Sequence, residues 1–312
     1  MPPGPALACA NSPARQTPMP LPAKRVHGPH LFVPANRAGF LTRLPLLPVT
    51  AVILDLEYAT RWPHKHEARF LAAEAIPYLR ELLPELTISV RINVPAAGDL
   101  ALRDLDVIVA ARPDVIRVPS VESGEDLRRI DAHLGACERA AAIAEGSIRL
   151  HPLIESPRGL AEAAAIAGAS PRNEALCLGG EDWAHNVGAV RSREGRELDH
   201  VRASLVAIAA EHRLVAIDTV YNWLDDDEGL ARDCAHSRSL GFRGRACIHP
   251  RQLATIAGAY APDDAQVERA RALLDKLVEA EVGGTRVHLV DGVITDPRAI
   301  FQARLTCLAA AS

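Results

Sequence analysis

Eight short β-type runs, each followed by a segment with helical spacing, constrain this chain more than any other feature. The runs are HLFVP (30–34), AVILDLE (51–57), ISVRINV (88–94), VIRVP (115–119), LHPLIES (150–156), ALCLGG (175–180), VAIDTVY (215–221) and RACIHP (245–250). Between them lie stretches such as KHEARFLAAEAIPYLRELL, whose apolar residues recur with the period of a helix that buries one face. Strands that are apolar nearly throughout suit a sheet covered on both sides, and parallel strands wrapped by helices supply that cover. The alternation and the number of runs predict an α/β fold, a (β/α)8 TIM barrel over residues 30–260. An open doubly wound sheet is the rival, but no GxGxxG motif follows the first run. Beyond the barrel, PDDAQVERARALLDKLVEAEVG reads as an amphipathic helix, a turn falls at Asp291-Gly292, and a last helix opens at Pro297. Residues 261–312 are therefore expected to form a C-terminal helical extension of the barrel.

Composition narrows the partners. With 35 basic and 39 acidic residues interspersed and a net charge of −4, no single-sign surface favours nucleic acid or an anionic membrane. No uncharged apolar run reaches the roughly 18 to 20 residues of a membrane helix. Cys9, Cys137, Cys177, Cys234, Cys247 and Cys307 are scattered, with no CxxC pair and no zinc-site spacing. Reduced, inert thiols and a cytoplasmic location are the expectation. Residues 1–29 are rich in proline, carry Arg15, Lys24 and Arg25 without an acid, and read as a disordered leader.

In such a barrel the C-terminal ends of the strands form the active face, so the polar residues there carry weight. They are Asp55 and Glu57 on the second run, Arg91 and Asn93 on the third, Glu155 on the fifth, Glu181 and Asp182 after the sixth, Asp218 on the seventh and His249 on the eighth. Glu155 and Asp182 are carboxylates from neighbouring strands, a donor pair suited to a hard cation such as Mg2+; capping of the following helices accounts for them equally well. Arg91 lies within an apolar strand and needs a carboxylate partner, either a substrate acid or Asp55 or Glu57. Gly179-Gly180 permits close backbone approach of a ligand. His249 before Pro250 reads as a structural residue, and LDDDEG (224–229) as a solvated turn opening a helix.

LFVPANR, AVILDLE with Lys65 downstream, VRIN, PLIESPRGL, LGGEDWAHNVG, AIDTVY and LGFRGRACIHPRQL, in this order, resemble the citrate lyase β subunit-like proteins of the HpcH/HpaI aldolase superfamily. The resemblance implies a TIM barrel, Mg2+ dependence, and a homotrimer or hexamer. It implies Glu155 and Asp182 as metal ligands, Arg91 as the residue that grips a keto acid, and Glu57 beside it at the site. Arg37, Gly180 and Glu181 fall among the substrate contacts. In malyl-CoA and citramalyl-CoA lyases an aspartate from a neighbouring subunit's C-terminal tail serves the thioester α-carbon, and VDGVITDP places Asp296 in that role. Three departures stand out: Tyr58 where the family has a second acid, Ser120 where it has lysine, and Ala35 where it has glycine.

The expectation is an Mg2+-dependent carbon–carbon lyase acting on a β-hydroxyacyl-CoA such as citramalyl-CoA, malyl-CoA or citryl-CoA. The alternatives are a CoA-independent aldolase of a 2-keto or hydroxy acid and a non-catalytic barrel. Tyr58, unable to carry the expected negative charge, is expected to influence Mg2+ affinity or substrate preference.

Overall fold

The computed structural model describes residues 26–96, 98–262, 264–280, 288–290, 293–295 and 297–310. Most of the leader, the Asp291-Gly292 turn and Asp296 lie outside these described residues. Eight strands, β1 Gly28–Pro34, β2 Ala51–Asp55, β3 Thr87–Arg91, β4 Val115–Val118, β5 Arg149–Ile154, β6 Ala175–Leu178, β7 Val215–Asp218 and β8 Gly244–Cys247, form a closed barrel in chain order. Every pair is parallel, and Gly28–Leu31 against Gly244–Cys247 closes the ring. The expected fold is thus present, with the first strand starting two residues earlier than the HLFVP run.

The strands hide a period of two that their apolar look conceals. Leu31, Val33, Val52, Leu54, Ile88, Val90, Ile116 and Val118 join the core shared with the surrounding helices. The residues between them, including His30, Ser89, Arg91 and Arg117, point into the barrel, where eight strands leave just enough width for side chains. The sheet is covered on both sides as expected, and several strands carry polar side chains on the face that lines the barrel interior.

Outside the ring lie α1 Ala38–Leu41, α2 Lys65–Leu82, α3 Leu100–Ile108, α4 Gly124–Ala140, α5 Pro157–Ala161, α6 Ala163–Ala167, α7 Gly180–Val187, α8 Asp199–Glu211, α9 Asp227–Leu240 and α10 Leu253–Tyr260. Serines open two of them: Ser123 accepts from the Asp126 amide at 3.1 Å, and Ser156 accepts from the Gly159 amide at 3.0 Å. After α10 come α11 Asp264–Ala280, a short antiparallel pair β9 His288–Val290 and β10 Val293–Thr295, and α12 Pro297–Ala310, which packs on α11. Among the described residues no helix is long and apolar enough to cross a membrane.

Candidate active site

The loop after β2 is organised by one carboxylate. Asp55 accepts from the Glu57 amide at 3.0 Å and the Ala59 amide at 2.8 Å, while its carbonyl accepts from the Thr60 hydroxyl at 2.8 Å. From β3, Arg91 donates to both Asp55 oxygens, Nε and Nη2 each at 2.7 Å. Burial alone raises the Asp55 carboxyl, and the Arg91 guanidinium overcomes it and holds the group below its usual value. Arg91 also turns Nη1 toward Glu57 at 3.2 Å and lies over the Phe32 ring at 4.6 Å. The internal ion pair left open by the sequence is real, and both carboxylates take part. Two guanidinium hydrogens, one on each terminal nitrogen, remain for a ligand.

Lys65, at the start of α2, donates to the carbonyls of Leu56 at 2.9 Å and Glu57 at 2.6 Å and pins this loop. Burial raises the Glu57 carboxyl even though Arg91 opposes it. The adjoining Tyr58 ring projects outward, 75% exposed, on the same loop.

Glu155 follows β5 and is only 4% exposed. It does not cap α5, because Ser156 does so, which removes the capping account of this acid. Its Oε2 accepts from the Ser120 amide at 3.1 Å and hydroxyl at 2.8 Å, with Ser120 held in the left-handed region at φ 48°. Burial, then the facing Asp182 carboxylate, push the Glu155 carboxyl up to about 7, against the opposing pull of Arg91 and Ser120. Asp182 sits exposed in the first turn of α7, where the helix dipole favours an anion, and makes no capping hydrogen bond there.

Gly179 explains how Glu155 reaches this position. A Cβ at Gly179 would meet Glu155 Cγ at 2.3 Å, so only glycine leaves room for the carboxylate. Gly180 is constrained from the other side: its amide donates to the Thr219 hydroxyl at 2.9 Å, and a Cβ would meet Thr219 Cγ2 at 2.7 Å. The glycine pair therefore fits side chains of this chain into the mouth.

The remaining expected residues divide. Arg37 is exposed at the entrance to α1. Glu181 accepts from Arg191 Nε at 2.8 Å, so its carboxylate already has a cationic partner. Asp218 lies under α8 and α9, accepting from Arg202 Nε at 3.2 Å and Arg245 Nη1 at 3.3 Å in a buried network with Asp233, away from the mouth. Its strand position has the parity of the helix-facing residues, which decides the matter. Asn93 binds Asp104 through its amide nitrogen at 2.6 Å. His249 accepts from the Arg251 amide at 3.2 Å and caps a short 3-10 turn, as a structural residue would. Ser120, noted in the sequence only as a departure from the family, is the group that binds Glu155, and the interior Arg117, which donates to His30 Nδ1 at 3.0 Å, escaped notice in the sequence. Arg117 carried the same signal as Arg91, a cation within an apolar strand. A concavity of about 660 Å3 opens at the opposite, N-terminal end of the barrel beside Thr50, Arg80, Thr87 and Tyr260. It contains none of the carboxylates of the mouth, and that end of such barrels serves stability.

The family model described as HpcH/HpaI aldolase/citrate lyase matches residues 29–250. The chain belongs to this family. The HpcH/HpaI match takes in the eight barrel strands from Pro29 onward and the carboxylates of the mouth, and it places the protein among the lyases. Citrate lyase subunit beta of Haemophilus influenzae is 35% identical over 275 residues, covering 88% of this chain and 94% of that protein. The (3S)-malyl-CoA thioesterase of Cereibacter sphaeroides is 30% identical over 281 residues, covering 88% of this chain and 92% of its own. Among solved structures, CitE of Mycobacterium tuberculosis in complex with magnesium, acetoacetate and coenzyme A superposes with a TM-score of 0.70 at 25% identity, covering 93% of this chain and all of that one.

Proposed function

We propose that this HpcH/HpaI protein is an Mg2+-dependent, cytoplasmic carbon–carbon lyase that cleaves a β-hydroxyacyl-CoA to acetyl-CoA and a keto acid. The observation that carries the reading is Glu155, a buried carboxyl pushed up to about 7 by burial and by Asp182, with Arg91 close by. A pair of oxygen donors whose mutual repulsion a dication would relieve fits Mg2+, and Glu155 and Asp182 would hold it. When bound, the ion supplies Lewis-acid stabilisation of the oxygens of the keto acid. The relatives support the substrate class: one is a citrate lyase β subunit, one acts on (3S)-malyl-CoA, and one is solved with magnesium, acetoacetate and coenzyme A.

The side chains then divide the work. Arg91, immobilised by Asp55, presents its two remaining N–H groups to the substrate carboxylate without having to be ordered during the reaction. Glu57, with its carboxyl raised by burial, accepts the proton of the substrate hydroxyl as the carbon–carbon bond breaks. The bonding pair passes into the thioester as an enolate, whose α-carbon takes a proton from Asp296 of a neighbouring subunit. Arg37 and the α7 turn at Gly180 and Glu181 border the path of the CoA arm. The assembly in this proposal is a trimer or hexamer, as the family resemblance implies, in which each chain borrows Asp296 from the next.

The test supplies malyl-CoA, citramalyl-CoA and citryl-CoA with and without Mg2+ and identifies products. Acetyl-CoA with glyoxylate, pyruvate or oxaloacetate supports cleavage. Malate with free CoA would show hydrolysis instead, and no turnover of any thioester alongside turnover of a free hydroxy acid would overturn the CoA assignment.

A further inference from the structure

A second cluster of ligating side chains lies on the outside of the barrel, between α3 and α4, apart from the carboxylates of the mouth. Asp106, His133 and Cys137 each offer one donor atom, and these atoms all lie within 4.8 Å of one another. His133 and Cys137 are one helical turn apart on α4, so they project from the same face. Asp106 reaches them from α3: its Oδ1 is 2.7 Å from His133 Nε2 and 3.7 Å from Cys137 Sγ. The imidazole and the thiol thus converge on a single carboxylate oxygen.

We propose that Asp106, His133 and Cys137 form a binding site for a borderline transition-metal ion of the Zn2+ type, bridging α3 and α4. The donor set decides the class of metal. A thiolate and an imidazole beside one carboxylate suit Zn2+ or Co2+ and do not suit Mg2+, which takes oxygen donors. In a tetrahedral zinc site neighbouring donor atoms stand about 3.3 to 3.7 Å apart, so the three groups reach that geometry by small side-chain rotations. His133 is 30% exposed and Asp106 54% exposed, so water completes the fourth position. Binding replaces the thiol proton: the metal–sulfur bond forms, the S–H bond breaks, and one proton passes to solvent, with no change in oxidation state. The metal fastens two helices that are otherwise held in part by the Asp106–His133 contact.

The sequence shows only His-x3-Cys within one helix, with no cysteine pair, and Asp106 joins it only through the packing of α3 on α4. The experiment titrates Co2+ into the full chain in excess Mg2+, which keeps the oxygen sites of the mouth filled. A near-ultraviolet sulfur-to-cobalt band together with intense visible bands of tetrahedral Co2+ is expected at one equivalent. Zn2+ should abolish the bands, and competition with a chromophoric chelator reads the Zn2+ affinity. Cys137→Ser should remove the sulfur band and weaken Zn2+ at least tenfold, and His133→Ala should weaken it similarly, while Mg2+-supported turnover is unchanged in both. No sulfur band at one equivalent, or the same band in folded Cys137→Ser, would overturn the assignment; circular dichroism establishes that each variant is folded.

Discussion

Arg91 lays Nε and Nη2 across the two oxygens of Asp55, 2.7 Å at each contact, and so is fixed before any substrate arrives. The same carboxylate also closes the β2 loop through two amides, so one buried side chain sets both the cation and the loop that carries Glu57. Removing the charge of Asp55 should therefore do more than cost activity. Asp55→Asn leaves a buried guanidinium with only Glu57 beside it, and a loss of about 3 to 5 kcal/mol in unfolding free energy is expected from denaturant titration. A loss below about 1 kcal/mol would mean that Arg91 finds another partner.

Glu155 makes the metal-free protein sensitive to pH in a direction opposite to ordinary acid denaturation. Its carboxyl ionises at 4.5 when unfolded and at about 7 when folded. Below pH 4.5 both states are protonated and the group contributes nothing. Between 4.5 and 7 only the unfolded chain loses the proton, so stability falls as pH rises, by about 3 kcal/mol once pH exceeds 7. Glu155→Gln should thus match the wild type near pH 4.5 and exceed it at pH 8 without metal. Saturating Mg2+ should reverse that order, because only the wild type gains from the ion. Equal stability profiles for the two proteins from pH 4.5 to 8 would show that the carboxyl is not perturbed.

Gly179→Ala tests the mouth without replacing a charged group. The added methyl would meet Glu155 Cγ at 2.3 Å and force the carboxylate away from Ser120 and Asp182. Calorimetry is expected to show at least a tenfold weaker Mg2+ affinity, and turnover should fall with it. A variant with unchanged Mg2+ affinity would place the metal elsewhere.

Tyr58 stands where the family has an acid, yet its ring is 75% exposed. Tyr58→Phe should therefore leave stability within about 0.5 kcal/mol of wild type, as exposed positions do. Tyr58→Asp adds a negative charge to the loop that carries Glu57 and should tighten Mg2+ binding or alter the preference among thioesters. Identical kinetics in Tyr58→Asp would make the position a bystander.

The barrel was legible in the sequence because eight apolar runs alternating with amphipathic segments leave a buried parallel sheet little alternative to closure. Several carboxylates of the mouth were legible too, since strand-end positions carry a barrel's chemistry. What each polar residue touches was not legible. Asp55 and Asp218 read alike as acids ending apolar strands, yet the parity of the pleat turns one toward Arg91 and sends the other beneath α8 and α9 to Arg202. Glu155 read equally well as a metal ligand or a helix cap, and only the structure gives the cap to Ser156; likewise only helix packing brings Asp106 beside His133 and Cys137. Local pattern specifies elements because backbone periodicity is written along the chain. Charge pairing and ligand clusters join residues dozens of positions apart, so only the closed barrel and its helix packing decide them.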